Sequence, residues 1–226
     1  MTGKIIQSCR RTNMQNYKTD EFGNTHQIER HEFRYDPKYV QDRYDIIPEK
    51  CREMSRLRYK TLVESAGFKP HTILDVGYGN GSFLDECHAN GCKTYGYDIS
   101  TYPVSPEHSI IQSEKVLASL QFDAITFFDS LEHIPQHLEF LTKLKAKCIM
   151  VSVPWYHPEL GEAWFSSWKH RRPDEHLHHF SRSGLIKMFD SIGFKCLETT
   201  DIEDQIRGEY SPGVENILTA TFLARA

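Results

Sequence analysis

The chain has 226 residues, 39% of them hydrophobic and 26% charged, with a formal net charge of −4. That is a globular composition, long enough for one sizeable α/β domain with an extension and too short for two full domains. The acidic balance argues against a protein that coats nucleic-acid phosphates, so nucleic acid is an unlikely partner. No apolar run approaches a membrane span, and the N-terminus lacks a signal-peptide core, so the cytoplasm is the expected location.

In chain order, residues 1–47 come first as a polar extension rich in aromatics: Tyr17, Phe22, Phe33, Tyr35, Tyr39 and Tyr44. So many aromatics disfavour plain disorder. Residues 21–25 read as a turn, and 27–35 partly alternate, which predicts a hairpin. Two compatible readings are open for this extension: a segment that packs on the main domain, and a lid over a substrate. From Pro48 the pattern turns helical, with Met54, Leu57, Tyr59, Leu62 and Val63 on one face, and Gly67 ends it.

Next comes the stretch around which the rest is organised. Ile73, Leu74 and Val76 form a buried strand that carries Asp75; Gly77, Gly79 and Gly81 then force a tight turn around Tyr78, and Ser82 opens a helix. Such a turn lets backbone approach a ligand closely and aims N–H groups and a helix N-terminus at it. A dinucleotide fingerprint needs its third glycine at position 82, where this chain has Ser82. A second acid, Asp98, follows Asp75 by 23 residues at the end of the next strand, where it can accept both hydroxyls of a ribose.

Further on, residues 109–112 read as a weak strand, 114–120 as a short helix and 122–128 as a strand apolar enough to be buried on both faces. A helix is expected over 136–147 and a strand over 148–153, stopped by Pro154. Ser181 caps a helix that runs to residue 192 and is closed by Gly193. Strands at 194–202 and 216–224, joined by a short loop at Ser211-Pro212-Gly213, must pair antiparallel. Together these elements predict an α/β fold with a doubly wound, mostly parallel seven-stranded sheet and one antiparallel edge strand. The six cysteines, Cys9, Cys51, Cys87, Cys92, Cys148 and Cys196, have no zinc-ribbon or C-x-x-C spacing and read as reduced and structural.

Two polar segments stand out. Phe128-Asp129-Ser130-Leu131-Glu132-His133-Ile134-Pro135 follows the fourth strand, on the side where ligands bind in such sheets. If helical, it puts Asp129, Glu132 and His133 on one face. Downstream, Asp174-Glu175-His176-Leu177-His178-His179-Phe180-Ser181-Arg182 precedes a helix. His157, His170, His178 and His179 read as packing or solvated residues, and the basic run Trp168–Arg172 as a solvated loop or a patch for phosphate or a sugar acid. Trp155, Tyr156, Trp164 and Trp168 are the expected wall of an acceptor pocket.

The glycine turn with its two acids resembles motif I and the ribose acid of the class I S-adenosylmethionine-dependent methyltransferases, over about residues 48–226. The resemblance implies that S-adenosylmethionine is bound by Asp75, Gly77, Tyr78, Gly79, Gly81, Asp98, Ile99, Phe128 and Asp129. The two polar segments resemble those of the ubiquinone-biosynthesis O-methyltransferase type, which implies oxygen as the acceptor atom, on a small molecule or a glycan. They are also similar to the small-RNA 3′-terminal 2′-O-methyltransferases, whose metal set would fall on Asp129, Glu132, His133 and His176, with an aspartate where that pattern has glutamate. A Mg²⁺ or Mn²⁺ ion there would lower the pKa of the acceptor hydroxyl. Without a metal, His133 or His176 would serve as general base, or Glu132 and His133 would only shape the turn. A cofactor-binding regulator without catalysis also stays open, while a nicotinamide-dependent oxidoreductase is opposed by Ser82.

Overall fold

In a computed structural model, residues 16–208 and 213–225 are described. The chain begins with β1 (Tyr17–Thr19), β2 (Thr25–Gln27), α1 (Pro37–Val40), a π-helical turn at Gln41–Asp45 and α2 (Pro48–Ala66). It continues with β3 (Thr72–Val76), α3 (Ser82–Ala89), β4 (Lys93–Tyr97), β5 (Ser109–Ile110), α4 (Glu114–Ser119), β6 (Phe122–Phe128) and α5 (His137–Thr142). Then follow β7 (Ala146–Pro154), α6 (Gly161–Ser167), β8 (His178–His179), α7 (Arg182–Ser191), β9 (Phe194–Thr200), α8 (Asp204–Arg207) and β10 (Ile217–Ala224).

Seven strands form the main sheet in the order β5-β4-β3-β6-β7-β10-β9. The pairs β3–β4, β3–β6, β4–β5 and β6–β7 are parallel, and β10 is antiparallel to both β7 and β9. The antiparallel pairing falls at the expected edge, with the reversed strand one place in and β9 outermost. Hydrophobicity explains the swap: Ile217 to Phe222 are all buried, whereas β9 carries Lys195, Glu198 and two threonines and suits an open edge. Alternation along the strands splits the core in two. Leu74, Val76, Ile125, Phe127, Ile149 and Val151 face one side, while Ile73, Ala124, Phe128, Cys148 and Met150 face α2 and α3 on the other.

The helix expected over 136–147 is limited to His137–Thr142, because Ala146 already pairs with Phe122 and extends β7. Asp20 closes the β1–β2 turn: its Oδ1 accepts the backbone N–H groups of Phe22, Gly23 and Asn24 at 3.0, 2.8 and 2.8 Å. The hairpin is shorter than expected. Thr25 and His26 pair with His179 and His178 of β8, so the extension adds two strands to the main domain, and 28–35 then leaves as irregular chain. Cys51, Cys87, Cys92, Cys148 and Cys196 are free thiols. Residues 1–15 with Cys9, and Ser211 and Pro212 of the predicted loop, lie outside the described residues. Among the described residues, no helix is long and apolar enough to cross a membrane.

The chain winds outward from β3 to β5 and returns to β6 on the other side of β3. At such a switch point the crossover helices leave in opposite directions, and a crevice opens beyond the carboxyl ends of the strands.

Candidate active site

The glycine turn lies in that crevice. At Gly77 (φ +81°) an added Cβ would stand 2.5 Å from the Ser130 Cβ, so the turn after β6 packs directly on bare backbone. At Gly79 (φ +55°) the neighbour is the Tyr44 ring, 3.4 Å from the same imagined atom. The N–H groups are less free than the sequence implies. Gly77 donates to the Tyr97 carbonyl at 2.7 Å and Gly79 to Asp98 Oδ2 at 2.9 Å, while Asp98 Oδ1 accepts from Ser100 N at 2.7 Å. The acid is thereby held at the end of β4, against the loop.

Two cavities flank this point. The larger, about 320 Å³, is lined by Asp75, Gly77, Tyr78, Gly79, Phe128 and Asp129, together with residues of α2 and of the 169–172 loop. The second, about 210 Å³, takes in Asp98, Ile99, His133, Tyr35 and Tyr39. Tyr44, Gly77, Gly79 and Asp129 line both. The cavity walls thus bring together every expected cofactor residue except Gly81, which lies at the head of α3 and lines neither cavity. Asp75 is buried and accepts from Thr126 Oγ1 at 2.8 Å; burial pushes its carboxyl up to about 7.

Asp129 does not join the expected metal set. The segment makes only one 3₁₀ turn, Leu131–His133, and Asp129 precedes it with φ +51°, off the face that Glu132 and His133 share. Its Oδ2 instead takes Arg207 Nη2 at 2.6 Å and Arg58 Nη2 at 3.3 Å. Glu203, fully buried, accepts from the same two guanidinium groups: Arg58 Nε at 2.7 Å and Arg207 Nη2 at 2.6 Å. Two cations and two anions close a network, and Arg58 also lies 4.2 Å over the Phe128 ring. The guanidinium groups hold Asp129 well below the usual carboxylate range despite its burial.

Glu132, His133 and His176 do come together, with one ligand atom of each within 4.8 Å of the others. Among the described residues, both Glu132 oxygens and His176 Nδ1 are buried without a hydrogen-bond partner. His133 Nδ1 lies 2.6 Å from the Glu175 carbonyl and 2.8 Å from the Tyr35 hydroxyl, which itself donates to that carbonyl at 3.1 Å. A carbonyl only accepts, so Nδ1 carries the hydrogen and Nε2, 4.0 Å from Glu132 Oε1, keeps its lone pair. Burial, aided by Asp129, raises the Glu132 carboxyl well above its usual range, and burial also depresses both imidazoles. Burial thus pushes all three toward their uncharged forms.

Several participants had no clear mark in the sequence. Glu175 Oε1 accepts from Arg43 at 2.7 Å, Tyr39 at 3.0 Å and Arg172 at 3.3 Å, so it ties the extension to the loop between α6 and β8. His170 lines the larger cavity and stacks on His176, ring centroids 6.2 Å apart. Trp155, Tyr156, Trp164 and Trp168, the expected acceptor wall, line neither cavity; they pack on one another, on Phe165 and on His157, and the basic residues beside them line the cavity instead. His157, His178 and His179 are buried packing residues.

Residues 48–199, more than half of the chain, match the methyltransferase domain family. The chain belongs to that family. Over 97 residues this methyltransferase is 28% identical to the ubiquinone biosynthesis O-methyltransferase of Pseudomonas paraeruginosa, covering 37% of this chain and 42% of that protein. The match thus spans about two-fifths of that relative's length. Among solved structures it is similar to the magnesium protoporphyrin IX methyltransferase of Synechocystis with bound S-adenosylhomocysteine (TM-score 0.55, 15% identity, 84% of this chain and 92% of that one). It is also similar to the 1,6-didemethyltoxoflavin N1-methyltransferase of Burkholderia thailandensis (TM-score 0.54, 12% identity, 93% and 100%). Likeness at this identity establishes the class I fold; the family makes the chain an S-adenosylmethionine-dependent methyltransferase.

Proposed function

We propose that this methyltransferase moves the sulfonium methyl of S-adenosylmethionine to an oxygen of a small hydroxylated molecule or sugar, in the cytoplasm. Gly77 and Gly79 take the methionine end of the donor, Asp98 the ribose, and Ile99 borders the base. The observation that carries the choice of oxygen is the cluster of Glu132, His133 and His176 beside the crevice, in which both Glu132 oxygens and His176 Nδ1 have no hydrogen-bond partner among the described residues. An acceptor hydroxyl must lose a proton as its oxygen attacks the methyl and the carbon–sulfur bond breaks, and His133 Nε2 offers the lone pair that takes it. Glu132 then faces the imidazolium, and His176 completes the pocket. One carboxylate and two imidazoles also fit Mg²⁺ or Mn²⁺, which when bound would polarise the acceptor oxygen. The O-methyltransferase named among the relatives supports the same acceptor atom. Residues 28–45, held by Tyr35, Tyr39 and Arg43, act as a lid on the crevice and keep water from the reaction.

Calorimetric titration with S-adenosylhomocysteine tests the cofactor half: micromolar binding is expected, and Asp98→Ala should abolish it. Mn²⁺ added next should bind with its own heat, lost in His133→Ala; without that heat, His133 acts as a base alone. A folded protein that binds no S-adenosylhomocysteine would overturn the assignment.

A further inference from the structure

Glu175 meets the N-terminal extension with one end and the Glu132 cluster with the other. It is buried in the loop between α6 and β8, next to His176. Its backbone carbonyl accepts from His133 Nδ1 at 2.6 Å and from the Tyr35 hydroxyl at 3.1 Å. Its carboxylate accepts from Tyr39 at 3.0 Å, in α1, and from Arg43 at 2.7 Å, in the π-helical turn that follows. Arg172, at 3.3 Å, is the third donor and comes from the wall of the larger cavity.

The carbonyl end depends on the extension as well. Asp174, one residue earlier, has φ +71°, a conformation that a residue with a side chain holds only at some cost. The extension clamps it there: Asp174 Oδ1 accepts from His31 N at 2.9 Å and Gln27 Nε2 at 2.8 Å, and Asp174 N donates to Gln27 Oε1 at 2.8 Å. With the extension lifted, this peptide loses its clamp, the Glu175 carboxylate two of its three donors, and His133 the Tyr35 hydroxyl. The same extension touches the cofactor loops. The Tyr44 ring packs on Gly79, and Asp45 accepts from the Tyr102 hydroxyl and from Asn80 Nδ2 at 3.5 Å.

We propose that Glu175 is a positioning residue that makes His133 competent only while residues 28–45 are closed over the crevice. This rests on the methyl-transfer reading and adds the control of its base. A histidine that is to take a proton at Nε2 must hold its own hydrogen on Nδ1, and the acceptor facing Nδ1 fixes both tautomer and ring. Here that acceptor is the Glu175 carbonyl, while the carboxylate of the same residue holds the lid. S-adenosylmethionine, seated on the glycine turn under Tyr44, draws the extension down and thereby sets His133. An open lid leaves the ring unheld, so the base is assembled only around a bound donor.

Proton–nitrogen NMR of chelator-treated protein, labelled at its histidine rings, reads the tautomer of His133 directly; its signals are those lost in His133→Ala. With S-adenosylhomocysteine bound, the Nδ1–H form is expected. Arg43→Gln is the decisive variant, because Arg43 is 36% exposed and its hydrogen bond goes to Glu175 and not to His133. In it the share of the Nε2–H form should rise about tenfold, and S-adenosylhomocysteine should dissociate about tenfold faster. Glu175→Gln should do the same; if that buried change prevents folding, Arg43→Gln decides alone. A merely structural tie would lower the thermal midpoint of Arg43→Gln and leave the His133 tautomer as in the wild type. That result overturns the proposal, while methyl transfer stands on the binding of S-adenosylhomocysteine. If the folded wild type binds no S-adenosylhomocysteine, both readings fall.

Discussion

Asp129 and Glu132 are three residues apart, and both carry a carboxyl group just beyond the end of β6, yet they live in opposite surroundings. Asp129 belongs to a closed set of two guanidinium groups and two carboxylates. Glu132 has two imidazoles nearby and, among the described residues, no hydrogen bond to either oxygen. A buried polar group without a partner costs free energy, so the first cluster is complete as it stands and the second is completed only by what binds there. The paired set joins α2, the turn after β6 and α8, and so holds the cavity in shape; the unpaired set is the one to which we assign the chemistry.

That contrast breaks most sharply at Glu203. Glu203→Ala leaves two buried guanidinium groups facing one carboxylate, and is expected to cost about 3–5 kcal/mol in urea unfolding. A loss below about 1 kcal/mol would mean that the network is solvated and not structural.

A third buried cluster, of histidines under the hairpin, gives an intermediate effect that depends on pH. His137 stacks on His26 and lies tilted against His178, and burial pushes its pKa down to about 3. The unfolded chain therefore takes up this proton first. The contribution is whole above about pH 6.5 and is lost as pH falls from there toward 3, by at most about 1.4 kcal/mol per unit. Between pH 6.5 and 5 the thermal midpoint should drop, and His137→Phe, which keeps a ring against Phe180, should flatten that slope.

The smallest effect on stability is expected at Glu132. Burial raises its carboxyl well above the usual range, so Glu132→Gln, which keeps the shape and adds no charge, should move stability by less than about 1 kcal/mol. Turnover should fall by about a hundredfold or more in the same variant. A large loss of stability with turnover intact would reverse the roles of the two clusters.

Much of this was legible in the chain. The β-branched run before Gly77, the helix from Pro48 to Gly67 and the buried strand Phe122–Phe128 depend on periodicity and turn chemistry within a few residues, and they stand where those patterns put them. The gathering of Glu132, His133 and His176 was foreshadowed by the two polar segments. Asp129 was misplaced because spacing implies one helical face, whereas the backbone spends φ +51° there and turns the carboxylate away. The expected aromatic wall lines neither cavity for a related reason: aromatics mark a sticky loop, but tryptophans in contact pack on one another and leave the larger cavity to charged neighbours.

The sequence by itself determined the strand and helix succession, the sharp turn at the glycines, the acid that follows it and the family to which these belong, since each is set by contacts along a short stretch of backbone. Only tertiary structure decided which charges are matched. Arg58 and Glu203 are 145 positions apart, and Tyr35 meets His133 across 98. No local pattern encodes such pairs, because what brings them together is the packing of the two apolar cores on either side of one sheet.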